Sequence, residues 1–209
     1  MSEASIEDQV RAIDQDRWLS SRFVSDRQLR SDLIGLYGFE AELLVIPTRV
    51  TQPLLAEMRY VWWSEQLDGV FEGQARKGHP VLEALTDIVS RHGLARTHFD
   101  ALIHAHIGRI HGEPHDLDAF YVGPTQLAVH VLAGSGHDAK VQTAGRMRGL
   151  AQVGRRDEAM ALRRQANQDI LGLPTRAFPA IAHAALIDPS LGEGARRLRL
   201  IWAVLNGRF

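Results

Sequence analysis

An all-α helical bundle is the fold this sequence predicts, on three observations. Apolar residues recur at three- and four-residue steps along most of the chain, and the strict alternation that marks strands is nearly absent. Breakers built from Gly, Pro, Asp and Ser also fall at intervals of helical length. Taking the elements in order, Leu29, Leu33, Leu36, Tyr37 and Leu43 line one helix from Ser25 to Leu44, with Ser25 placed as its N-cap and Pro47 as its stop. A second helix is expected from Pro53 to Phe71, ending near Gly73, and a third from Pro80 to His92, ending at Gly93. Further helices are predicted for Arg96–Ile110, Pro124–Leu132, Ala139–Val153, Arg155–Leu171, Pro179–Ile187 and Gly194–Leu205. The stretches GEPHD, GSGHD, LPTR and DPS separate them. No internal repeat, low-complexity tract or linker divides the chain, so residues 1–209 are expected to form a single domain.

Composition limits the function classes. The 209 residues are 45% hydrophobic, enough for one sizeable core, and 24 basic against 25 acidic side chains leave a formal charge of −1. That balance gives no field for nucleic acid. The absence of cysteine excludes disulfides, thiolate metal sites and cysteine nucleophiles, and suits a reducing compartment. The opening MSEASIEDQV lacks the basic and apolar regions of a signal peptide, and no stretch approaches the ~18 uninterrupted apolar residues of a spanning helix. The expected location is cytoplasmic, with membrane association at most peripheral, on the cytoplasmic face.

Several segments carry a family pattern. DRWLSSRFVSDRQLRSDLIGLYGFEAEL, from Asp16 to Leu43, has a small-residue segment and an Arg ahead of a helix with a Leu36-Tyr37-Gly38-Phe39 run. EMRYVWWSEQLDGVFEG and the following GHPVLEAL supply Arg59, Trp62, Trp63, His79 and Pro80. DLDAFYVGPTQLAVHVLAG supplies Asp116, Thr125 and Gly134, and LPTRAFPAIAHAALI with RRLRLIWAVLNGRF closes the series. Together they resemble the squalene/phytoene synthase family, and the sequence is similar to a divergent, shortened member of it. The resemblance implies a helical bundle of the isoprenoid synthase type. It also implies prenyl-diphosphate chemistry, in which two aspartate-rich motifs on facing helices hold magnesium against the diphosphate.

The motif positions do not carry that chemistry. Where the first motif is expected, after the Leu-Tyr run, the chain reads LLVIPT, with Leu44, Val45 and Thr48 at the carboxylate places. For the second, Asp157 and Glu158 are adjacent and therefore project about 100° apart on a helix. Neither set is expected to hold magnesium, so no catalytic residue, metal ligand or cofactor is assigned. The resemblance lies closest to the family's branch of respiratory complex I assembly factors.

The remaining candidates each have a plain reading beside the functional one. Glu65, Asp68 and Glu72 share a helix face and are either a weak displaced magnesium site or a wet surface. Tyr37, Phe39, Arg59, Trp62, Trp63, Asp116 and His130 are candidates for a vestigial pocket. For them the alternatives are core packing, ion pairing or a satisfied core histidine. His104, His106, His111 and His115 lack the one-face spacing that a zinc site needs. Leu198, Ile201, Trp202 and Leu205 with Arg196, Arg197, Arg199 and Arg208 form an amphipathic last helix that either closes the bundle or contacts a membrane surface. Three functions follow: a non-catalytic protein acting through a protein partner, such as a respiratory complex subunit; a magnesium-dependent prenyl-diphosphate transferase; or an isoprenoid- or lipid-binding protein without turnover.

Overall fold

The computed structural model describes residues 5–188 and 190–209. It begins on a capping box, in which Ser5 Oγ accepts from the Asp8 N–H at 3.1 Å while the Asp8 carboxylate accepts from the Ser5 N–H at 3.3 Å. Helix α1 (Ile6–Ile13) follows and ends at Asp14, whose N–H donates to Val10 O and whose carboxylate then caps α2 (Gln15–Ser21) by accepting from the Arg17 N–H. One residue thus closes a helix and opens the next. Neither helix was predicted.

Asp26, one residue beyond the expected Ser25, caps α3 (Arg27–Arg49). This helix runs through Pro47, where the sequence predicts a stop. Proline lacks the N–H that would reach the carbonyl of Leu43. The Tyr60 hydroxyl supplies the missing donor instead, at 3.1 Å from Leu43 O, and the last turn survives.

Helices α4 (Pro53–Phe71) and α5 (Pro80–His92) start on proline as predicted, and Gly93 ends α5 in the left-handed region at φ 62°. Helix α6 (Thr97–Ile110) leads to a π-helical turn (Asp118–Val122), then to α7 (Gly123–Ala133), α8 (Asp138–Gln152) and α9 (Arg156–Asp169). The helix expected at Pro179–Ile187 is instead two 3-10 turns, Thr175–Ala180 and Ala182–Ala185. Pro179 interrupts the α-helical ladder there, and small buried alanines let the tight segment thread the core. Helix α10 (Glu193–Asn206) completes an architecture with no strand among the described residues.

Helix α3 packs on α1 and α5, α4 on α5 and α6, and α8 along α9, around one apolar cluster running from Val10 to Phe209. Phe39, Tyr60, Phe99 and Leu67 lie at its centre, each contributing about 1.5–3 kcal/mol by leaving water. Some apolar residues stay outside it. Leu54, Leu55, Met58 and Val61 on α4, and Leu198, Ile201, Trp202 and Leu205 on α10, are exposed.

Candidate functional site

The bend at Asp14 turns the start of α2 into the bundle, bringing Asp14, Asp16 and Arg17 against α3 and α8. Arg17 Nη1 donates to Glu40 Oε2 at 2.5 Å, its Nε lies 3.6 Å from Asp14 Oδ2, and its guanidinium stacks 5.0 Å from the Tyr37 ring centre. Arg148 Nη1 lies 3.0 Å from Asp16 Oδ2, and Arg196 of α10 donates to Asp16 Oδ1 at 2.5 Å. Asp14, Asp16 and Glu40 therefore face Arg17, Arg148 and Arg196, so their formal charges cancel.

Protonation follows from this geometry. Burial opposes ionisation of Asp14, but the charges of Arg148 and Arg17 outweigh it and hold the carboxyl below its usual range. Burial dominates at Glu40 and raises it, with Arg17 only partly compensating. His183, fully enclosed beside Arg148 and Arg17, is driven well below its ordinary value and stays neutral. Glu40 Oε1, the Tyr37 hydroxyl and His183 Nδ1 have no hydrogen-bond partner among the described residues.

This cluster forms one wall of a cavity of about 390 Å³. The other walls are apolar and aromatic, from Leu44, Leu102, Phe120, Tyr121, Leu186 and Ile187, with His106 and His115 between them. His106 Nδ1 lies 3.3 Å from the Tyr60 hydroxyl, and desolvation lowers its pKa to about 4. His115 stacks on Phe120 at 4.4 Å.

The squalene/phytoene synthase family model matches residues 10–121, just over half of the chain. The chain belongs to the squalene/phytoene synthase family. No curated protein and no solved structure matches it. The match covers Asp14, Asp16, Arg17 and Glu40, whereas Arg148, His183 and Arg196 lie beyond it. The isoprenoid synthase fold of the family is all-helical, as this chain is.

In this family member the predicted site residues are dispersed. Tyr37 sits under Arg17 at the polar cluster, while Phe39 points into the core, 5.5 Å from both Trp63 and Phe99. Trp63 is buried and Trp62 half-buried, and both rings contact His79. Trp62, Trp63, exposed Arg59 and Val45 line a second hollow of about 500 Å³ between α3 and α4. Asp116 accepts from the N–H groups of Asp118 and Ala119 and so caps the π-helical turn. His130 is half-buried on α7. Glu65, Asp68 and Glu72 are exposed, and Asp68 is tied to Arg96, which also holds Asp100.

Among the described residues no group of three or more His, Asp or Glu is arranged to hold a metal ion. Asp14, Asp16, Arg17, Glu40, Arg148 and Arg196 carry no motif that marks them as site residues in the sequence. The available signal was the three-residue step from Tyr37 to Glu40, which puts a carboxylate on the same face as a candidate pocket tyrosine.

Proposed function

We propose that this family member is non-catalytic and works through contacts with a protein partner, a subunit of a respiratory complex during assembly being the class the resemblance implies. The observation that carries the proposal is the charge-balanced interior. A magnesium–diphosphate site needs surplus carboxylate, yet Leu44, Val45 and Thr48 occupy the first-motif places and Asp14, Asp16 and Glu40 are each committed to arginine. The residues present do not fit that metal. Asp157 and Glu158 do not supply the second set, because Glu158 is exposed and bound to Arg155.

The contact surface in this reading is the outer face of α4. Leu54, Leu55, Met58 and Val61 fall at helical steps and stay exposed beside the Trp62 hollow, a pattern that an apolar helix of a partner would cover. A photo-crosslinker placed at Met58 tests this in cells. Capture of a respiratory complex subunit, lost in Leu55→Ser/Val61→Ser, is the expected result. Magnesium-dependent diphosphate release that disappears in Asp68→Asn would instead support the transferase reading.

One observation favours a second reading, ligand binding without turnover. The 390 Å³ cavity is within the size range of small-molecule sites and has a largely apolar far wall. Magnesium-independent binding of a farnesyl analogue would select that reading.

A further inference from the structure

Residues 159–168 of α9 and 194–209 in and after α10 contain no Asp or Glu, yet carry Arg163, Arg164, Arg196, Arg197, Arg199 and Arg208. In a chain whose total charge is −1 this is a local surplus. Arg196 turns inward to Asp16 and Arg197 pairs with Glu193 at the start of α10. Arg164, Arg199 and Arg208 form no ion pair with a side-chain carboxylate among the described residues. Arg163 Nε donates to Phe209 O at 2.8 Å, which keeps it at the junction of the two segments. Arg163, Arg164, Arg208, Met160 and Trp202 line one open hollow of about 660 Å³.

The apolar half of the same edge is equally ordered. Helix α10 buries Leu200 and Ala203 against the body, yet Leu198, Ile201, Trp202 and Leu205 recur at steps of three, one and three on its outer side. Leu198 is 69% exposed and Leu205 80%, and Arg199 lies 5.1 Å over the Trp202 ring. A helix that needed only to close the bundle would present polar residues there.

We propose that the outer edge of α9 and α10 is a peripheral attachment surface for an anionic lipid bilayer. Leu198, Ile201, Trp202 and Leu205 enter the boundary between headgroups and acyl chains, with the helix lying in the membrane plane. Trp202 sits at headgroup depth, where its amphipathic ring is best accommodated. Arg164, Arg199 and Arg208, which have no carboxylate side chain as partner among the described residues, meet lipid phosphates. Burial and the nearby Arg163 both disfavour the Arg199 cation, and an anionic surface relieves the second of these. The attachment is independent of whether the cavity acts on a substrate.

Vesicle co-sedimentation of the full chain tests it. With phosphatidylcholine vesicles containing phosphatidylserine, the protein is expected to sediment at least tenfold better than with phosphatidylcholine alone, and to be released as salt rises. Arg164→Gln/Arg208→Gln should weaken binding roughly 30-fold, about fivefold per charge. Leu198→Ser/Trp202→Ser/Leu205→Ser, whose positions are exposed, should fold normally by circular dichroism and lose binding at least tenfold. Leu54→Ser/Met58→Ser on α4 should bind as the unaltered protein does. Equal sedimentation with neutral vesicles, or full binding by a folded α10 variant, overturns the proposal. So does an α10 variant that keeps vesicle binding but loses a captured protein partner, since that edge would then belong to the partner.

Discussion

Removing the cation from the Arg17–Glu40 pair perturbs the interior most directly. Both side chains are under a tenth exposed, so Arg17→Met leaves Glu40 and Asp14 facing each other without their shared guanidinium. Breaking a buried pair from one side costs about 3–5 kcal/mol. If the 209-residue chain unfolds as one unit, each kcal/mol lowers Tm by roughly 2–4 °C, so a fall of about 10 °C is expected. The loss should also depend on pH. Glu40 is already raised by burial, and without Arg17 it rises further, so it destabilises the fold when ionised and ceases to do so once protonated. Denaturation followed by circular dichroism from pH 8 to pH 5 should therefore show the variant approaching the unaltered protein as pH falls. The double variant Arg17→Met/Glu40→Leu, which removes both charges, should recover at least half of the loss. A single variant within 1 kcal/mol of the unaltered protein at pH 8, or a double variant as unstable as the sum of its parts, would refute the reasoning.

Other consequences are measurable in the same assay. The His106 imidazole has its pKa lowered to about 4 on folding, so the unfolded chain binds more protons between pH 6.5 and 4. Stability should drop as pH falls through that window, and His106→Gln should remove up to about 3 kcal/mol of the drop. Gly145→Ala places a Cβ 2.9 Å from Val122 Cα and 3.1 Å from Tyr121 O, both backbone atoms. It should destabilise by about 1–3 kcal/mol despite alanine's better helix propensity, and a stabilised variant would contradict the close packing of α8 on the π-helical turn. Tyr60→Phe withdraws the hydroxyl from Leu43 O, left without its helical donor by Pro47, and should cost about 1–3 kcal/mol. Equal stability of Tyr60→Phe would mean that the end of α3 does not need that donor.

Legibility in the sequence followed local chemistry. Helices α4 and α5 were placed to the residue because Pro53 and Pro80 start them and the chain around Gly73 and Gly93 ends them. Pro47 misled because its compensation comes from Tyr60, thirteen residues later and on another helix. The Pro179 segment misled because an alanine-rich apolar run reads as helix, whereas its 3-10 form is set by the core around it. The site was less legible than the fold. A buried arginine and a surface arginine look alike in a sequence, so Arg17, Arg148 and Arg196 could be recognised only once three distant segments were seen to meet Asp14, Asp16 and Glu40. Tyr37 was a candidate because the family pattern marks its helix, and it lies beneath Arg17. The stripe on α10 was read correctly as amphipathic, but the periodicity could not show that Leu198 and Leu205 face outward.

The central claim is that the interior cannot support diphosphate departure, and titration calorimetry of the full chain with a farnesyl diphosphate analogue, with and without magnesium, tests it most directly. The account predicts no magnesium-dependent binding, and no diphosphate released from farnesyl diphosphate itself. Tight binding that requires magnesium, accompanied by release of diphosphate, would contradict it.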